Sequence, residues 1–197
     1  MKIKYTIRIG LVSVLLGATS CTPAVVIPLP PTVRRIAVLP PYYPGASDTP
    51  TASTDSDVRR PLEMTVGDLL AQQARAQLAQ KRFDVVEPSI VKLSTKDRVP
   101  TSPQMAAQII EEARLDATAL YIEVRRWEPM PSERGMKADG VIVGLDVILV
   151  DPKTGAILWQ VNRPSRPVPL YGIVLTGQAN VFVAETVMRE VFAQSHD

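Results

Sequence analysis

One cysteine and one histidine are all that this 197-residue chain holds of the two residue types that most often do covalent or metal chemistry. Cys21 has no second cysteine to pair with, so no disulfide forms within the chain and no multi-cysteine metal site exists. His196 is the penultimate residue, in the kind of chain end that ordinarily frays. With no second histidine and no available cysteine, the usual zinc sites are excluded. A Ser-His-Asp arrangement would have to use that same terminal histidine. Neither GxxxxGK[ST] nor GxGxxG occurs, so the phosphate loop and the dinucleotide fingerprint are both missing, and no cofactor is expected. No apolar run is long enough for roughly 30 Å of hydrocarbon, and no internal repeat is present. A basic character is missing too. The formal charge of +2 comes from 22 basic and 20 acidic residues, but Lys2, Lys4 and Arg8 lie in the first twenty positions, which hold no acid; 19 basic residues then face 20 acidic ones, a net −1. Nucleic acid is therefore not an expected partner.

What is present begins at the amino terminus. Lys2, Lys4 and Arg8 precede the apolar run Ile9 to Ala18, about ten residues long, which suits the core of an export signal. Ala18-Thr19-Ser20 then leads into Cys21. This resembles the lipobox of bacterial lipoproteins, in which small residues precede a cysteine that is acylated and becomes the first residue. Ala18 and Ser20 stand where Leu and Gly or Ala are commonest. An ordinary secretory signal with an incidental cysteine, or a plain anchor, is the alternative, but acylation accounts for an exported protein with one leftover cysteine. In 22–33, Pro23, Pro28, Pro30 and Pro31 favour an extended chain that cannot join a sheet interior, the character of a tether. Thr22 occupies the place where Asp would retain a Gram-negative lipoprotein at the inner membrane. The expectation is a lipid anchor on the periplasmic face of the outer membrane. The chain thus divides into a signal at 1–20, lipidated Cys21 and tether at 21–33, and a domain at 34–197.

The domain is expected to be α/β: one mixed, partly antiparallel sheet of about five strands with helices on both faces. Arg34 to Leu39 reads as a strand and 42–57 as a long loop. A helix is expected from near Arg60, with Leu62, Val66, Leu69, Leu70, Ala74 and Leu78 on one stripe. Phe83 to Val86 reads as a second strand, followed by a short helical turn at 89–93. Ser102 caps a helix from Pro103 in which Met105, Ala106, Ile109, Ile110 and Ala113 share a face. Thr118 to Trp127 alternates apolar Leu120, Ile122 and Val124 with Tyr121, Glu123 and Arg125, a pattern expected toward a sheet edge. Gly140 to Val150 is apolar on both faces, as a central strand would be. Asp151 to Gly155 is a tight hairpin signal, returning through Ala156 to Val161. The three prolines of 162–170 are expected to end the sheet. A final helix, about Thr176 to Gln194, places Val181, Ala184, Val187, Met188 and Val191 on its apolar stripe, with Phe182 and Phe192 nearer the flank.

Few residues in the domain are candidates for chemistry. Adjacent Glu111-Glu112 could serve a glycosidase, but a helix surface explains them as well. Asp146 stands alone inside the run VIVGLDVILV and must be paired, exposed or shifted in pKa; it is either met by solvent or a polar partner near Gly144, or it is a hydrolase carboxylate. Arg125-Arg126-Trp127 could form a basic and aromatic contact patch. Tyr42 and Tyr43 are the better candidates for partner contact, because exposed tyrosine is enriched at interfaces, although both rings could fold back over the core.

The order RRIAVLPP, amphipathic helix, FDVVEP, DATALYIEVRRW and VGLDVILVDPKTGAILWQ resembles a group of Gram-negative envelope lipoproteins over about residues 34–192. The group includes CsgG, the N-terminal domain of TolB, LpoB and small lipoproteins without assigned function, among them a meningococcal vaccine-candidate member. The motifs I-x-V-L-P-P and D-x-x-T-G-x-x-L-W carry the likeness and mark no active site. The resemblance implies a scaffold or accessory subunit that is not an enzyme, binds envelope proteins, and forms a dimer or larger homo-oligomer. A pore subunit of the CsgG type would need a pair of long alternating segments beyond the core strands.

Overall fold

The computed structural model describes residues 29–44, 56–130, 140–170 and 176–193. In chain order the elements are β1 (Arg35–Val38), α1 (Ser56–Gln80), β2 (Asp84–Val85), α2 (Pro88–Thr95), α3 (Pro103–Glu112), β3 (Thr118–Pro129), β4 (Gly140–Val150), β5 (Ile157–Pro169) and α4 (Thr176–Ala193). The strands form one five-stranded sheet in the order β2-β1-β3-β4-β5. β1 lies parallel to both β2 and β3, as strands joined through helical crossovers must, and β3, β4 and β5 run antiparallel, β4 and β5 through a short turn. The molecule is a single α/β domain with a mixed sheet.

Alternation along the strands builds two layers. Leu120, Ile122 and Val124 of β3 and Val143, Leu145 and Val147 of β4 face α1 and α4, which contribute Leu70, Ala74, Leu78, Val183, Val187 and Val191. Ala119 and Tyr121 of β3, with Ile148 and Val150 of β4, face α2 and α3, which contribute Val91, Ala106, Ile109 and Ile110. Leu29 and Val33, at the end of the proline-rich span, pack on the first layer.

The helices start and stop for local reasons. Pro88 and Pro103 occupy the first turns of α2 and α3, where no amide is needed, and the Ser102 hydroxyl accepts a hydrogen bond from the Met105 amide at 3.1 Å. The first left-handed residues behind α1, α2 and α3 are basic, Arg82 (φ 66), Lys96 (φ 58) and Arg114 (φ 53), with Asp97 (φ 56) following Lys96. Behind them the chain makes long-reach closing bonds, Phe83 N to Leu78 O, Asp97 N to Lys92 O and Leu115 N to Ile110 O. Glycine is usual there; a cation instead lies beside the carbonyl end of the helix dipole.

Four sequence expectations change. β3 is the third of five strands rather than near an edge, and Tyr121 is wholly buried. Its alternation turns polar at Glu123 because short α2 and α3 stop short of that half of the sheet. β5 continues through Pro164 and Pro167 to Pro169, because it is an edge strand whose outer side owes no ladder bonds. α4 presents a rotated stripe: Phe192 is buried and stacks on Trp159 with centroids 5.7 Å apart, whereas Val181 is 40% exposed. Met105 is also partly exposed, its sulfur accepting from the Thr101 amide at 3.5 Å.

Candidate functional site: a strand kink and its polar pairs

Asp146 belongs to a kink that crosses three strands. The β3–β4 register shifts between Val124 and Arg126, leaving Arg125 as the extra residue, and the β4–β5 register shifts between Val143 and Leu145. Both shifts meet at Gly144. A Cβ there would lie 2.4 Å from the Ser165 hydroxyl and 3.2 Å from that residue's N and Cα, so the β5 bulge requires glycine opposite it. Bulges leave backbone groups out of the ladder, and buried carbonyls need other donors. Two arginines supply them from opposite faces. Arg125 donates through Nη2 to Arg163 O at 3.2 Å and Leu145 O at 3.5 Å, while its Nε lies 3.2 Å from Asp146 Oδ2. Arg163 is 2% exposed, donates through Nη1 to Val143 O, and reaches Glu190 on α4 at 2.9 Å through Nε.

Next to this pair, Glu123, Asp146 and Asn162 sit directly opposite one another on β3, β4 and β5. Tyr121 donates its hydroxyl to Glu123 Oε2 at 3.2 Å. Burial, then the charge of Glu123, pushes the Tyr121 phenol well above its ordinary pKa. Asp146 is 14% exposed in its side chain; Oδ2 is held by Arg125, and Oδ1 is buried without a hydrogen-bond partner. The carboxylate therefore has the polar partner near Gly144 that its apolar surroundings demand.

The other sequence candidates separate. Arg125-Arg126-Trp127 is not one patch: Arg125 serves the kink, Arg126 pairs with Glu128 at 2.8 Å, and Trp127 packs on the first layer. Glu112, exposed on α3, takes hydrogen bonds from Arg98 and Gln108, which hold its carboxyl below the usual range. Tyr42 extends β1, its amide donating to Ile122 O and its carbonyl accepting from Val124 N, both at 2.8 Å. Tyr42 packs on the second layer and Tyr43 on the first, each half-buried. Cys21 and His196 lie outside the described residues. Arg163 and Glu190 escaped the sequence reading. The available signal was an arginine continuing the apolar alternation of Trp159 and Val161.

Open space lies elsewhere. A groove of about 540 Å³ opens where the chain enters the sheet, lined by Thr32, Arg34, Arg35, Arg114 and Lys153 with Glu111, Asp116 and Asp151. Two smaller grooves of about 340 and 330 Å³ flank the end of α4. Glu123 and Asp146 line none of the three. Among the described residues no group of three or more His, Cys, Asp or Glu is placed to hold a metal ion, and no helix is long and apolar enough to cross a membrane.

The class defined by these observations is an α/β domain of four helices on a five-stranded mixed sheet. No protein-family model matches the chain, and no curated protein matches it. Among solved structures it is similar to lipoprotein GNA1162 from Neisseria meningitidis, at 18% identity over 80% of this chain and 97% of that one, with a TM-score of 0.46. It is similar to the PelC dodecamer from Paraburkholderia phytofirmans, at 15% identity over 85% and 91%, with a TM-score of 0.44. It is also similar to LpoB of E. coli, at 11% identity over 85% and 83%, with a TM-score of 0.37. At these scores the likeness bears on neither activity nor partners.

Proposed function

We propose that this chain is a lipid-anchored envelope protein of the lipoprotein group its sequence resembles, acting as a non-catalytic scaffold or accessory subunit on the periplasmic face of the outer membrane. Its partners are other envelope proteins and further copies of itself, with Tyr42 and Tyr43 among the contact residues. The observation that carries the reading is the division of labour along the chain. Cys21 follows a basic start and an apolar run of about ten residues, and it stands at the head of a proline-rich span. The more isolated of the domain's carboxylate candidates, Asp146, is engaged by Arg125 in holding a strand kink. A glycosidase carboxylate must meet substrate in an open cleft; this one faces its own backbone scaffold.

The test has two arms. Labelled palmitate should enter the wild-type protein and be lost in Cys21→Ser, and cross-linking in cells should trap the protein with itself or another envelope component. Equal label in Cys21→Ser removes the anchor. Peptidoglycan release by the wild type that Asp146→Asn abolishes would replace the scaffold reading with a hydrolase.

A further inference from the structure

The groove of about 540 Å³ gathers four cations from three segments: Arg34 and Arg35 at the start of β1, Arg114 just after α3, and Lys153 in the β4–β5 turn. Arg35 is paired with Asp84 at 3.3 Å, whereas Arg34, Arg114 and Lys153 have no ion-pair partner among the described residues. Of the acids present, Asp151 is tied into the turn and stays charged beside Lys153. One of its oxygens takes the Lys153 amide at 3.1 Å and the other the Thr154 hydroxyl at 2.7 Å, which keeps its carboxyl below the ordinary range. Glu111 and Asp116 are exposed and also line the groove. Three cations that form no salt bridge among the described residues thus converge on one cavity, two of them guanidinium groups, whose planar donors match phosphate oxygens.

The groove's place in the chain says what it faces. Thr32 and Arg34 are part of its wall, and the Val33 amide closes a turn onto Pro30 O at 3.1 Å just before them. Leu29 is already packed on the core. Only residues 22–28 separate Cys21 from that packing, and the eight steps from Cys21 to Leu29 span about 25 Å as polyproline and at most about 29 Å fully extended. A lipid on Cys21 therefore keeps this end of the domain beside the bilayer, where a short tether gives a high effective concentration and weak contacts suffice.

We propose that this groove is a membrane-facing site in which Arg34, Arg114 and Lys153 hold the phosphate groups of anionic phospholipids. Together with the tether it sets the orientation of the domain on its membrane. The inference rests on the lipid-anchor reading of Cys21.

The test uses the chain from Thr22 onward, which keeps every described residue and carries no lipid. It should co-float with vesicles of phosphatidylglycerol in phosphatidylcholine at low salt, release at high salt, and ignore pure phosphatidylcholine. The triple variant Arg34→Gln/Arg114→Gln/Lys153→Gln should bind on the order of 100-fold more weakly. A charge-matched control at exposed positions elsewhere, Lys92→Gln/Arg126→Gln/Arg189→Gln, should stay within about threefold of the wild type; circular dichroism checks that both remain folded. Equal binding by the two triple variants, or no preference for the anionic vesicles, overturns the site. Palmitate labelling at Cys21 is read separately: label without vesicle selectivity removes the groove and leaves the anchor, and selectivity without label does the reverse.

Discussion

Arg163 and Glu190 join β5 to α4 through a 2.9 Å contact whose two ends differ sharply in exposure: the guanidinium is 2% exposed and the carboxylate side chain 44%. Removing the arginine strands Val143 O and leaves a void in the first layer, while removing the glutamate leaves a buried cation that keeps its backbone acceptor. Arg163→Ala should cost about 3 kcal/mol, and Glu190→Ala, tempered by solvent, about 1–2 kcal/mol. Urea denaturation of both variants measures this, and a Glu190→Ala cost equal to or above that of Arg163→Ala would contradict the assignment.

Two glycines on neighbouring strands and turns should fail for different reasons. At Gly144 an added methyl meets Ser165, including its backbone, so Gly144→Ala should cost about 2 kcal/mol through displaced packing. Gly155 has open space around its Cβ position but sits at φ +69, so Gly155→Ala should cost about 1 kcal/mol through backbone strain alone. Gly155→Asn should recover part of that loss, whereas Gly144→Asn should be worse than Gly144→Ala. Equal behaviour of the two positions in thermal melts would mean that the bulge at Ser165 is not where the strands place it.

The contrast shows what was legible. The hairpin could be read from Asp151-Pro-Lys-Thr-Gly155 because turn chemistry is local, and Ser102 announced its helix for the same reason. The paired apolar faces of β4 gave its place between two covering layers. Strand order was not legible. Polar residues on β3 read as an edge because the sequence does not say that α2 and α3 are too short to cover the whole face. Prolines in β5 read as a terminus because proline marks an edge strand and a strand end alike. Asp146 could be flagged as needing a partner, but Arg125 could not be named. Its reach depends on a bulge that neither strand encodes alone.

The phase of α4 can be tested at single residues. Phe192 is buried and stacked on Trp159, so Phe192→Ala should cost about 3–4 kcal/mol and alter tryptophan fluorescence. Val181 and Phe182 are each about two-fifths exposed, so Val181→Ser and Phe182→Ser should stay within about 1 kcal/mol of wild type. A Val181→Ser cost matching that of Phe192→Ala would restore the stripe expected from spacing alone.

Tyr121 gives the fold an alkaline weak point. Its phenol is wholly buried beneath α3, donates to Glu123 Oε2, and has its pKa raised, first by burial and then by the Glu123 charge. An unfolded tyrosine loses its proton near pH 10, before the folded one does. A group with a raised folded value contributes fully below the unfolded value and loses that contribution as pH rises above it. Stability should therefore fall above about pH 10, at no more than about 1.4 kcal/mol per pH unit from this residue. Tyr121→Phe leaves Glu123 without a donor and should cost up to about 1 kcal/mol at neutral pH. Above pH 10 the order should narrow and then reverse, with the variant unfolding less readily than wild type. Parallel stability curves for the two proteins from pH 9 to 11, followed by urea midpoint, would show that Tyr121 titrates in the fold as it does in the unfolded chain.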